Sequence, residues 1–150
     1  MLLEKTIAED LKKAMKARDE LRTSCLRMLK TSIKNMQVEK GRTLKDEEIH
    51  GVISSLVRKG KEAAGEFRKA GRDDLAAKED QEVEIIYAYL PEQLSSEEIE
   101  KALKGMIDEV SADGLKDLGK LMKVAMGRFA GRAQGKEVNE IARKLLSRAE

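Results

Sequence analysis

The chain has 150 residues, of which 39% are charged and 3% aromatic, with one proline, one cysteine and a formal net charge of +2. So much Ala, Glu, Lys, Leu and Arg points to an all-α protein, and so small a net charge excludes whole-molecule attraction to nucleic acid. A lone cysteine, Cys25, excludes an internal disulfide; with His50 the only histidine, no metal-ligand spacing arises.

Leu3, Ile7, Leu11 and Met15 recur at i, i+4 and predict a first helix of about four turns, followed by a connection at Ala17–Glu20. A second helix is expected to carry Leu21, Cys25, Met28, Leu29 and Met36 on one side and to stop at Gly41. Asp46-Glu-Glu48 supplies negative charge to the start of a third, where carboxylates complement the helix dipole. Its buried stripe runs through Ile49, Val52, Ile53, Leu56, Val57, Ala64 and Phe67 to a stop at Gly71. Gly60 and Gly65 fall inside it, and each internal glycine costs on the order of 1 kcal/mol relative to alanine. Asp73 is expected to cap a fourth helix running through Leu75, Val83, Ile86 and Tyr87 to Tyr89.

Pro91, the only proline, stands where the fourth helix must end, because proline lacks the N–H that continues the ladder. We place a lobe boundary there, giving 1–90 and 91–150. Ser95-Ser-Glu-Glu98 then reads as a capping box opening a fifth helix, with Ile99, Leu103, Met106, Ile107 and Val110 inward and a stop at Asp113-Gly114. In the sixth helix Leu118, Leu121, Met122, Ala125 and Phe129 share one direction, while Lys120 and Lys123 point the opposite way. Lys116 joins them if the helix reaches back that far. The last helix buries Val138, Ile141, Ala142, Leu145 and Leu146. The expected architecture is therefore all-α, a four-helix lobe followed by a three-helix bundle.

Charge is unevenly distributed. Lys5–Lys45 holds 12 Lys/Arg against 5 Asp/Glu, and Gly114–Glu150 holds 9 against 4, while the two segments between are acidic. The densest cationic stretch is the corner between the last two helices, Met126 to Asn139, where Arg128, Arg132 and Lys136 alternate with Gly127, Gly131 and Gly135. With Lys116, Lys120 and Lys123 upstream, this corner offers a surface for a phosphate backbone, and the free N–H groups of the helix opening near Lys136 face the same way. The plain alternative is a solvated helix face.

Catalytic chemistry is not legible. His50 follows three acids at a helix start, with no cysteine or serine in the turn before it to serve as a nucleophile. Gly131 to Lys136 fails as a P-loop: its spacing is one residue short, Glu137 replaces the Ser/Thr that binds magnesium, and a helix precedes it. No catalytic, cofactor or metal residue is therefore assigned. The four aromatics Phe67, Tyr87, Tyr89 and Phe129 are too few for a reader that stacks single-stranded bases, and Phe67, Tyr87 and Phe129 are expected in the core. No apolar run is long enough for a signal peptide or membrane span, so a cytoplasmic protein is expected.

Several short motifs together resemble the YqeY-like proteins, free-standing relatives of the C-terminal tail of the GatB subunit of tRNA-dependent amidotransferases. They are Arg27-Met-Leu-Lys30, Glu66-Phe-Arg-Lys-Ala-Gly-Arg72, Tyr89-Leu-Pro-Glu-Gln-Leu-Ser95, Gly119-Lys120 and Gly131-Arg-Ala-Gln-Gly-Lys-Glu-Val-Asn139. The resemblance implies two helical lobes and tRNA binding, carried most directly by Lys120, Lys123, Arg132, Gly135 and Lys136. It also implies a family label of carbon–nitrogen ligase with glutamine as amide donor, although nothing here resembles the GatB catalytic domain. Gln134 departs from the aspartate often found between the glycines. The expected partners are tRNA and, alternatively, an aminoacyl-tRNA synthetase or amidotransferase on which the chain would dock as a protein-interaction module.

Overall fold

The computed structural model describes residues 2–148. Among them are seven α-helices and no strand: α1 (Leu2–Lys16), α2 (Glu20–Lys40), α3 (Asp46–Lys69), α4 (Asp73–Tyr87), α5 (Ser96–Val110), α6 (Leu118–Phe129) and α7 (Gly135–Arg148). A 3₁₀ turn at Leu115–Asp117 leads into α6. The chain forms two compact units that meet in sequence at Leu90/Pro91. No helix among the described residues is long and apolar enough to cross a membrane.

In the first unit α1 and α2 form an antiparallel hairpin, and α3 and α4 pack closely along one another. Ile7, Leu26, Leu29, Ile33, Ile49 and Ile53 meet in its core at 2% exposure or less. Local chemistry ends these helices where the sequence predicts. Gly41 closes α2 in the left-handed region (φ 70°), and Gly71 follows α3 with φ 73°, conformations that cost glycine little. Asp19 caps α2 by accepting from the Arg22 N–H at 3.1 Å. At α3 the Glu48 carboxylate accepts from the Lys45 N–H at 3.1 Å and also pairs with Arg42 and Lys40. The Arg42 guanidinium, above all, holds the Glu48 carboxyl far below the usual carboxylate range.

Several sequence expectations are corrected. Met15 and Met28 are exposed, at 49% and 42%, and Ala14 rather than Met15 is buried. Successive i+4 steps drift by about 40° around a helix, so the fourth member of such a series leaves the core face and the i+3 residue replaces it. Tyr87 is also exposed, with the Lys61 ammonium 5.7 Å from its ring centroid, a cation–π distance. Phe67 is only half-buried. Asp73 is the first residue of α4, not its cap; Arg72 precedes the helix and donates to Asp74 instead. The fourth helix ends at Tyr87, two residues early.

The third helix is unbroken across Gly60 and Gly65. A Cβ at Gly60 would lie 2.5 Å from Val83 Cγ2 of α4, so this glycine lets two helices approach; nothing lies within 4 Å of a Cβ at Gly65. Cys25 is buried as expected, and burial first, then the nearby Glu82 carboxylate, pushes its thiol up to about 11. Tyr89 donates to the Asp10 carboxylate at 2.6 Å, tying the chain after α4 to α1.

In the second unit α5, α6 and α7 pack around Ile99, Leu103, Leu121, Ala125, Val138 and Leu146, all fully buried. The capping box forms as the sequence predicts. Ser95 Oγ accepts from the Glu98 N–H at 3.1 Å, and Glu98 accepts from the Ser95 N–H at 3.0 Å. The fifth helix stops at Val110, before Asp113-Gly114, because Ser111 already turns left-handed (φ 55°).

Candidate functional site

The cationic corner is built from the end of α6, the turn 130–134 and the first turn of α7. Leu121, Ala125 and Phe129 hold the inner face of α6, which leaves Lys120 and Lys123 exposed on the other. Ala130 ends the helix in the left-handed region (φ 47°), and Gly131 follows with φ 82°. Two left-handed residues in succession reverse the chain, and the second, at φ 82°, is a conformation that glycine adopts at little cost. Gly135 carries no such demand: its φ is not positive, and an added Cβ would meet Met126 Cε at an ordinary 3.8 Å.

The corner is held by the proline-bearing segment that precedes α5. Gln93 Nε2 donates to the Gly131 carbonyl at 2.8 Å and to the Pro91 carbonyl at 2.9 Å. The Leu94 N–H donates to the Arg132 carbonyl at 2.7 Å. Arg132 Nε donates back to the Glu92 carbonyl at 3.2 Å, and Ser96 Oγ donates to Glu137 at 2.6 Å. Two motifs about 40 residues apart in sequence thus become one laced structure. Ala133 is buried beneath it.

Of the seven residues that sequence predicts for RNA, the six cations fall into three groups of two. Two have acidic partners: Arg128 with Glu109 at 2.5 Å and Lys116 with Asp113 at 3.6 Å. Glu109 raises the Arg128 guanidinium above its ordinary value and is itself held below the usual carboxylate range, chiefly by that hydrogen bond. Lys120 and Arg132 are held by neutral carbonyls, Lys120 Nζ donating to the Val110 carbonyl at 2.8 Å, so their charge stays uncompensated. Lys123 and Lys136 are exposed with no ion pair or hydrogen bond from their side chains among the described residues. Gly135 contributes only backbone. Lys116 lies in the 3₁₀ turn, because the sixth helix does not reach back to it.

Sequence reasoning gave Gln93 no role, although it stands in the motif Tyr89-Leu-Pro-Glu-Gln-Leu-Ser95 that carries the resemblance. It also missed that Gln134, immediately before α7, buries its Nε2 without a partner. No group of three or more His, Cys, Asp or Glu that could hold a metal occurs among the described residues.

The fold and corner define a class: a small all-α protein of two helical units, the second presenting a cationic helix face braced by a proline-bearing segment. The family model for the Yqey-like proteins matches residues 4–146, and the chain belongs to that family. It is similar to Altered inheritance of mitochondria protein 41, mitochondrial, from Lachancea thermotolerans, at 36% identity over 69% of this chain and 57% of that protein. The protein of that name from Vanderwaltozyma polyspora is 31% identical over 75% of this chain and 64% of its own length. The one from Saccharomyces cerevisiae (strain YJM789) is 36% identical over 66% and 55%. This chain therefore spans a little over half to just under two-thirds of the length of these relatives. Their names correct the expectation of a cytoplasmic protein, since all three are named mitochondrial. The absence of a long apolar run bears on membrane spans and carries no information about compartment.

Proposed function

We propose that this protein is a non-catalytic accessory that binds tRNA through the outer face of α6 and the opening of α7. The observation that carries the reading is the set of four cations without acidic partners, Lys120, Lys123, Arg132 and Lys136, gathered on one helix face and the adjoining corner. Ammonium and guanidinium groups so placed bind phosphates and displace condensed counterions, with little base-specific contact. The resemblance to the amidotransferase tail supports tRNA as the polyanion. Phe129, the one aromatic residue of the second unit, is buried at 4% exposure, which favours backbone contact over base stacking on this unit's surface.

Four phosphate contacts give a slope of log affinity against log salt of roughly −3. The test is fluorescence-detected binding of full-length protein to total tRNA over a salt series, beside Lys120→Gln/Lys123→Gln/Lys136→Gln protein. Loss of most of that slope in the variant is the expected result. Equal affinity and slope in the two proteins would refute the reading. Docking on a synthetase or amidotransferase predicts instead a protein partner that is retained after nuclease treatment.

A further inference from the structure

The first unit carries a second cationic surface. On α1 the side chains of Lys5, Lys12 and Lys16 are exposed, and on α2 those of Arg27, Lys30 and Lys34. None of the six takes part in an ion pair among the described residues. At about 100° per residue, Lys5, Lys12 and Lys16 lie within about 40° of one direction, opposite Ile7 and Leu11. Arg27, Lys30 and Lys34 lie within about 60° of one direction on α2, about 115° round the helix from the buried Leu29 and Ile33. The helices run antiparallel, and Gln37 Nε2 donates to Glu4 at 3.2 Å across the seam, which sets these two residues side by side. Lys13 and Arg18 are likewise exposed without an ion pair among the described residues, whereas Arg22 pairs with Asp19, and Lys40 and Arg42 pair with Glu48. Glu9 and Glu20 are the exposed acids on the outer face, leaving it strongly positive.

We infer that this outer face of the α1–α2 hairpin is a second RNA-binding surface, one that grips the phosphate backbone of a duplex. The inference rests on the proposed function only for the choice of RNA; the surface itself is independent of the α6–α7 corner. Along α2, Arg27, Lys30 and Lys34 are spaced by about 4.5 and 6 Å, with the exposed Thr31 hydroxyl between them for a further phosphate or ribose contact. Insertion into an anionic membrane would need a continuous apolar face, and the main apolar stripes of both helices are taken up in the core by Ile7, Leu26, Leu29 and Ile33. The exposed apolar residues of the hairpin are scattered along it rather than joined in a stripe: Leu2 and Val38, both 74% exposed, at one end, and Met15 and Met28 further along.

The test uses the full chain and a 20-base-pair RNA duplex of arbitrary sequence as the probe. Lys12→Gln/Lys30→Gln/Lys34→Gln protein should bind about tenfold more weakly at moderate salt, with a slope shallower by about 3. Glu9→Gln protein should bind about threefold more tightly, a gain that a misfolded variant cannot produce. Unchanged binding in both variants overturns the inference. So does a result in which the three lysines matter for vesicles of phosphatidylserine and not for the duplex. Lys120→Gln/Lys123→Gln/Lys136→Gln protein, measured alongside, separates the two surfaces: its normal binding would fell the corner and leave the hairpin standing, and the converse pattern would do the reverse.

Discussion

Gly60 and Gly65 lie in one helix, five residues apart, and the same substitution should act on them with opposite sign. At Gly65 an added methyl meets nothing within 4 Å, so Gly65→Ala gains only helix propensity, about 0.5–1 kcal/mol of stability. At Gly60 the same methyl would lie 2.5 Å from Val83 Cγ2. Valine is stiff about χ1 and cannot swing aside, so α4 must shift, and such overpacking costs about 1–3 kcal/mol. Offset by the propensity gain, Gly60→Ala should be destabilising by about 0–2 kcal/mol. The two variants then differ by about 1–3 kcal/mol, or about 5–20 °C in the melting of a unit of this size. Thermal unfolding followed by circular dichroism reads the difference, and in a Val83→Ala background the Gly60→Ala change should recover the propensity gain relative to Val83→Ala alone. If Gly60→Ala stabilises as much as Gly65→Ala, the close approach of α3 and α4 at this point is refuted.

Gln93→Leu removes two hydrogen bonds and leaves the Gly131 carbonyl unpaired, a loss of about 1–3 kcal/mol that should also speed amide exchange at residues 130–134; unchanged exchange there would contradict the bracing role. Gln134→Asp places a good capping carboxylate before α7 and removes a buried unpartnered amide, so the second unit should gain about 1 kcal/mol, read by chemical denaturation. Burial, then the hydrogen bond to Asp10, raises Tyr89 well above its ordinary 10.0. A phenol whose folded value is raised contributes stability that is whole below pH 10 and is lost as pH climbs from there toward the folded value. In Tyr87→Phe protein, the ultraviolet titration of Tyr89 should therefore lag that of the urea-unfolded chain; coincident curves would refute the assignment.

What the sequence made legible was what neighbouring residues decide. Gly41 and Gly71 stop helices because left-handed backbone suits glycine, and Ser95 with Glu98 forms a box that needs only four consecutive residues. Ser111 and Ala130 turn left-handed without glycine, so the ends of α5 and α6 carry no such signal. The inward and outward faces were readable to within the drift of an i+4 series, which is where Met15 was misplaced. The charged side chains were legible only as charges. That Arg128 is matched by Glu109 while Lys123 stays free depends on how α5 packs on α6, and residue spacing does not encode it. Gly60 shows the same limit: in sequence it reads as a weak point, and in the fold it is where Val83 packs.

The most direct test of tRNA binding at the corner is lysine footprinting of the full chain by an acylating reagent and mass spectrometry, with and without saturating tRNA. Lys123 and Lys136, exposed and without internal partners, should lose their reactivity, while Lys69, which is 79% exposed and lies on α3, should keep it as the control. Undiminished reactivity of Lys123 and Lys136 under tRNA would contradict the account.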